Sequence, residues 1–505
     1  MTTLVWFKRD LRVADNAALC AAADDLSVCL YIYEPKVMEA PDYDGVHLSC
    51  VNACLSALHE RLLALGGHLV TRVGDAVDVL DRLHEEIKFD RIVSHQETGN
   101  MVTFERDKAV RRWARKNGAR WDEFAQDGVV RGLKSRDGWS RQWDSAMRSP
   151  ILATPVALTK GFDVRSDGIV APEAFGLVSH EQAGVGLNEQ GAANTLQSFL
   201  YERGERYQSE MSSPVTAPSA CSRMSAHLAY GTISRRMTFQ IFEARRAEVR
   251  AERKAKTGIS ADWSRAMASF NKRLHWNGHF IQRLELQPEL EYTNMTRSAD
   301  GLREEDWNED FFQAWCAGRT GYPMVDACMR YLREHRWINF RMRAMLVSFA
   351  SYHLWLDWRR TAPFLARQFL DYEPGIHYSQ IQMQSGTTGI NSVRIYSPIK
   401  QAKDHDPEGD FIRTWVPELA SVPLEHLVEP QRMTAEEQDR YGCHVGVDYP
   451  APLVDHKTAV QQAKQRVYAA RRKDGARAEA KEVLERHGSR KKTRRRPSGR
   501  RPSAK

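Results

Sequence analysis

The chain has 505 residues, with 73 Lys+Arg against 65 Asp+Glu, for a formal net charge of +8. At roughly 100–200 residues per domain that length gives two to four domains, and 42% hydrophobic content supplies real cores, which excludes a disordered chain. No apolar run approaches the roughly 18 residues of a membrane span, and the N-terminus MTTLVWFKRDLR lacks a signal-peptide h-region, so a cytoplasmic, membrane-free protein is expected. Leu4–Phe7, Val28–Ile32, His68–Thr71 and Arg91–Ser94 read as buried strands, and Ala17–Ala23, Leu48–Leu65 and Val77–His84 carry helical periodicity. This β-α-β alternation predicts an α/β domain with a doubly wound parallel sheet over residues 1–130. Residues 131–193 lose the pattern among repeated Gly, Pro and Ser and read as an interdomain connection with little regular structure. Residues 194–450 become helical and aromatic-rich, with seven of the 13 Trp between Trp263 and Trp358, so an all-α second domain is expected there. Residues 451–488 form a C-terminal helical segment, interrupted near Gly475.

The last 17 residues, from Ser489, carry nine Lys/Arg and no acid, which leaves 64 bases against 65 acids in the body. A charge run broken by Pro, Ser and Gly cannot bury itself, so residues 489–505 read as a disordered arm. Two roles stay open for it: a contact with a polyanion, most often nucleic acid, or plain solubilisation. Eight scattered cysteines make neither a disulfide framework nor a CxxC metal site, and Cys50 with Cys54 reads as two small core residues on a helix. No Gly-rich phosphate fingerprint follows the first strand, which moves the expected chemistry to the helical half.

Three segments carry a resemblance. VWFKRDLRVADNAAL (Val5–Leu19), GRTGYPMVDACMRYLREHRWINFRMR (Gly318–Arg343) and RIYSPIKQAKDHDPEGDFIRTWVPEL (Arg394–Leu419) lie in family order and at family-like spacing, and the chain resembles the DNA photolyase and cryptochrome flavoproteins over nearly its whole length. The resemblance implies an N-terminal antenna domain and a helical domain that buries FAD in a U-shaped pose. Cys221-Ser222-Arg223-Met224-Ser225 stands where the family starts a helix over the diphosphate. Hydroxyls, backbone N–H groups and one Arg suit a phosphate, which makes Ser222, Arg223 and Ser225, with Met224, candidate contacts; an ordinary N-cap is the alternative. Tyr207 matches a further contact upstream. Arg343 and Asp371 match an ion pair beside the isoalloxazine, the Asp accepting from the ring N3–H, and buried charges of this kind persist only when paired. Glu373 is expected beside the ribityl or the ring edge. Arg273, Trp276, Asn277, Trp337 and Phe340 complete the expected cofactor set.

The sequence also departs from the family. The position facing flavin N5, an Asn amide in the family, is His377 here, and an imidazole can donate or accept there; the other possibility is that it turns away and Tyr378 fills the space. Of the electron-carrying Trp chain, Trp358 and Trp307 match the middle and outer positions, while the flavin-proximal position is Ile381, which cannot be oxidised; Trp355 and Tyr378 are the candidate substitutes. In the substrate cavity the aligned positions are Arg273, Phe340, Ala344, Trp276 and Met383, so one Trp is kept and an always-charged Arg replaces the family's Glu. Arg273 can stabilise a lesion radical anion, or bind a phosphate or a carboxylate of the chain. Arg341 and Arg394 match contacts to DNA. Glu97, Asn100 and Glu105-Arg106-Asp107 resemble the lining of a second chromophore site, of folate or deazaflavin type, and also read as a plain helix-starting acidic cluster. No four-cysteine set for an iron–sulfur cluster is present, and no metal is expected.

The resemblance implies light-driven, FAD-dependent repair of pyrimidine photoproducts in single- or double-stranded DNA. The alternatives are a cryptochrome-type blue-light receptor and a light-independent flavoprotein or nucleic-acid-binding protein.

Overall fold

The computed structural model describes residues 1–488. The expected disordered basic arm, 489–505, lies outside the described residues. Five parallel strands, β1 (Thr2–Phe7), β2 (Leu26–Tyr33), β3 (Leu69–Val73), β4 (Arg91–His95) and β5 (Arg120–Phe124), run in the order 3-2-1-4-5. A two-residue strand, β6 (Thr159–Lys160), pairs with the start of β2. Central β1 is buried on both faces, as its uninterrupted apolar run requires. Leu4 and Trp6 join Val28 and Leu30 in one core, while Val5 and Phe7 join Cys29 and Val93 in the other, the period-two alternation of a strand. Helices α1 (Ala17–Ala21), α2 (Gly45–Ala64), α3 (Ala76–Ile87) and α4 (Met101–Lys116) occur between the strands. Helix α2 begins earlier than its apolar pattern suggests because Asp44 and His47 form a capping box. Cys50 and Cys54 are buried on it, as expected.

The connecting segment holds more structure than its composition implies. Helix α5 (Trp139–Arg148) places Trp139, Trp143 and Met147 one turn apart on a buried stripe. Trp143 packs against Gly278, where a Cβ would come within 2.4 Å of the indole nitrogen, so only Gly permits this approach.

The rest is helical: α6 (Ser225–Tyr230), α7 (Arg235–Lys254), α8 (Ala261–Leu286), α9 (Pro323–His335), α10 (Phe340–Ser348), α11 (Trp358–Gln368), α12 (Pro374–Ser385), α13 (His456–Ala470) and α14 (Ala476–His487), among shorter turns. No described helix is long and apolar enough to cross a membrane. The basic turn after β1 fastens the two halves together. Arg9 donates to the carbonyls of Ala229 (3.0 Å) and Tyr372 (2.8 Å), and buried Arg12 donates to that of Gly231 (3.0 Å). Gly231 has φ +73° and its Cβ would meet the Arg9 carbonyl at 2.2 Å, so the joint also demands a glycine.

Candidate functional site

The loop Cys221–Met224 is held in a strained shape by a residue 18 positions upstream. Arg203 donates to the carbonyls of Cys221 and Ser222, the latter at 2.7 Å, while Arg223 sits at φ +61°, left-handed for a non-glycine. The Ser222 hydroxyl accepts from the Met224 N–H (3.4 Å), Met224 is buried, and exposed Ser225 opens α6. Arg223 stacks its guanidinium 3.8 Å from the ring centre of Trp337. Burial pushes the Cys221 thiol up, to about 11, against the opposing pull of Arg223, Arg203, Arg273 and Arg343, so four guanidinium groups converge on this loop.

Asp371 supplies the counter-charge. Its Oδ2 accepts from Arg343 at 2.9 Å, and Arg343 also donates from Nε to the Ile338 carbonyl at 2.7 Å. Burial raises the Asp371 carboxyl, but Arg343, assisted by Ser225 and Arg223, more than reverses this and holds it below the usual carboxylate range. Asp371 Oδ1 is buried and makes no well-formed hydrogen bond among the described residues.

His377 opens toward the same region from α12. Its Nε2 lies 2.9 Å from the Ala362 carbonyl, and its ring is ringed by Phe369, Tyr372 and Tyr378. Burial lowers its pKa to about 4, so the ring is neutral at pH 7, and a neutral ring against a carbonyl must carry its proton on Nε2. The Tyr378 hydroxyl donates to buried Asp42 at 3.2 Å, which also accepts from Tyr372 and Asn100.

Glu373 and Asn277 share a network with two arginines. Glu373 Oε2 faces Arg9 (3.6 Å) and Arg235 (3.4 Å), and Asn277 Oδ1 accepts from Arg235 Nε at 2.7 Å, which ties both to the domain joint. Tyr207 is a core residue packed edge-on to Phe199 and Phe270, and burial lifts its phenol to about 12.

Midway along α8, Arg273 lies between two aromatic faces, 4.6 Å from the ring centre of Trp276 and 5.5 Å from that of Phe340. Trp276 is 37% and Phe340 43% exposed, unusual for side chains of that size. Arg273 forms no ion pair among the described residues; its Nη2 lies 3.8 Å from the Met211 sulfur, and its guanidinium also engages the Tyr207 phenol. Arg341 lies 5.7 Å from the Tyr396 ring centre, Arg394 is exposed, and Met383 is half-buried on α12. Trp358 is fully buried with its Nε1–H donated to Asn294 (2.8 Å); Trp307 donates to Glu309 beneath Arg360 (3.7 Å); Ile381 shares the Trp358 core. Trp355 is held by Asp306, Arg303 and Arg466, on the side of α13.

A cavity with about 840 Å³ of empty space, including its open mouth, lies where the strand order reverses between β1 and β4. Trp6, Lys8, Glu34, Glu97, Asn100 and Arg106 line it, together with Tyr372. Arg106 binds Glu34 (2.7 Å), Glu97 (2.5 Å) and Asp107 (2.9 Å), and Asp107 also takes Lys8 (3.4 Å). Glu105 points outward to Lys108. No His/Cys/Asp/Glu group that could hold a metal occurs among the described residues.

Comparison with known proteins decides the lineage. The model of the DNA photolyase domain matches residues 3–133, and that of the FAD binding domain of DNA photolyase matches 270–469. The chain belongs to the DNA photolyase and cryptochrome family. A deoxyribodipyrimidine photo-lyase of Vibrio cholerae is 28% identical over 480 residues, covering 90% of this chain and 96% of the relative. A cryptochrome DASH of Gloeobacter violaceus is 27% identical over 484 residues, covering 90% and 93%. The crystal structure of a class III photolyase from Agrobacterium tumefaciens superposes with a TM-score of 0.78 at 26% identity, covering 93% of this chain and 98% of that one.

The chain thus has an FAD-binding domain, and its residues fit the cofactor. The unbonded Asp371 Oδ1 suits the N–H of a flavin ring edge, and the guanidinium groups around Cys221 suit a diphosphate. Arg203, Arg235 and Asp42 are the participants that sequence reading missed.

Proposed function

We propose that this protein reverses pyrimidine photoproducts in DNA by light-driven electron donation from reduced FAD. The observation that carries the reading is the exposed Trp276–Arg273–Phe340 stack, an aromatic platform with a fixed cation beside the flavin loop. Bound FAD supplies the light absorption and the electron. Asp371, kept ionised by Arg343, orients the ring edge; Ser222, Arg223 and Ser225, shaped by Arg203, hold the diphosphate.

Photolyases flip their target base out of the duplex, and unstacked bases bind aromatic faces. Trp276 and Phe340 offer such faces, Arg273 places positive charge where the lesion gains an electron, and Arg341 with Arg394 contacts backbone phosphates. Arg273 pairs with no carboxylate among the described residues, and its charge is available to substrate. His377 holds its proton on Nε2 against Ala362, which leaves Nδ1 as an acceptor; facing N5, it accepts from an N–H and cannot donate. The cavity beside β1 and β4 is the seat for a second chromophore.

A cryptochrome-type receptor is the second reading, favoured by His377 and by Ile381 at the proximal electron-transfer position. The experiment reduces the flavin and illuminates the protein with UV-damaged single- and double-stranded oligonucleotides. Repair predicts loss of cyclobutane dimers or (6-4) products in the light only; no loss in either substrate rejects it in favour of signalling.

A further inference from the structure

We propose that the outward face of α13 binds the phosphate backbone of duplex DNA flanking the substrate, beyond the contacts of Arg341 and Arg394. Lys457, Gln461, Lys464 and Tyr468 recur every three or four residues along this helix, all exposed, and exposed Arg472 follows just past its end. Ala459, Ala463, Val467 and Ala470 are its buried side. Packing thus accounts for one side of the helix only. From His456 to Ala478 the chain carries seven Lys/Arg and one acid, Asp474. Arg466 pairs with Asp306 (3.1 Å), and half-buried Arg471 donates to the Asn391 carbonyl (2.8 Å). Lys457, Lys464, Arg472, Lys473 and Arg477 form no ion pair among the described residues. Helix α14, next in the chain, carries three Lys/Arg against three acids, the mixed pattern of a plain solvated face.

The charge of the whole chain points to the same end. Residues 456–505 hold 18 Lys/Arg against four acids, which leaves 55 against 61 in residues 1–455. The rest of the protein is net acidic, so attraction for a polyanion is concentrated here. Ala463 and Val467 of α13 share a cluster with Val393 and Ile395, the two neighbours of exposed Arg394. The basic face therefore adjoins the loop that carries a DNA-contact candidate. From Lys457 to Tyr468 the stripe is about 16 Å long, the length of about five base pairs. Lys, Gln and Tyr side chains contact phosphate oxygens without reading bases, so the surface binds without sequence preference. A membrane-surface helix would turn its apolar side outward, and here that side is buried in the protein. The inference rests on the chain's binding DNA, and not on whether it repairs it.

The test measures binding of a short undamaged DNA duplex to the FAD-loaded full chain across a salt series. Lys457→Gln, Lys464→Gln and Arg472→Gln together lower the slope of log affinity against log salt by about 2–3. Arg112→Gln, Arg115→Gln and Lys116→Gln together remove the same charge from exposed positions of α4 and at its end, and leave the slope unchanged. Acetylation footprinting of the unaltered chain needs no variant: saturating duplex protects Lys457 and Lys464 and leaves Lys116 and Lys481 reactive. Equal slope losses in the two triple variants, an unchanged slope in the first, or no protection at Lys457 and Lys464 overturns the surface. An unaltered chain that binds no duplex overturns the DNA reading together with it, so the two failures are told apart.

Discussion

Replacing His377 by Asn separates two consequences of one buried imidazole. Burial depresses its pKa from 6.5 to about 4, so between those values the unfolded chain holds a proton that the folded chain refuses. Stability from this group is therefore complete above pH 6.5 and drains away as pH falls toward 4. With those two values the loss at pH 4.5 relative to pH 7.5 comes to about 2.5 kcal/mol. Asn cannot titrate, so His377→Asn should shrink the pH 7.5-to-4.5 stability difference by about that amount while losing about 1 kcal/mol at both pH values if its amide misses the Ala362 carbonyl. Urea unfolding of holoprotein at the two pH values measures both. Buried His227, His279, His353 and His487 are depressed as well, but they are common to both proteins and cancel. An unchanged pH difference refutes the buried, neutral His377. The same variant reports on the flavin: if Nδ1 faces N5, illumination spectra change in radical form or lifetime, and identical spectra remove His377 from that position.

Asp371→Asn keeps the shape but exchanges a charged hydrogen bond for a neutral one, so FAD affinity should fall about 5–30-fold, read by flavin absorbance on dilution. Tyr378→Phe removes a phenol whose proton can pass to Asp42; if Tyr378 stands in for the missing proximal Trp, light-driven flavin reduction slows severalfold, and an unaltered rate returns the role to other residues. Deleting 489–505 should leave flavin photochemistry intact while lowering the salt slope of nonspecific duplex binding by up to about 8, from nine removed cations. A slope unchanged by the deletion makes the tail a solubiliser.

The strands and the first helices were legible because burial on both faces leaves an unmistakable apolar run, as in Val28–Tyr33. Strand β5 was not, since RWDEF at the sheet edge keeps its side chains half in water and carries no such run. Helix α5 hid inside a Gly- and Pro-rich stretch because three residues spaced by four are too few to outweigh their neighbours. In the site, Arg343 and Asp371 were readable from motif spacing and meet as expected. The ion pairs of Glu373 were not legible because its partners, Arg9 and Arg235, are supplied by other parts of the chain and only folding brings them near. Arg203 left no local signal for the same reason: its work is done on carbonyls 18 and 19 residues away.

Tyr372 belongs to two rooms at once. One side lines the cavity at the strand switch point, and its ring packs 5.2 Å from the centre of His377 on the other. Its carbonyl is gripped by Arg9, its hydroxyl by Asp42. One side chain thus forms both part of the cavity lining and part of the wall around His377.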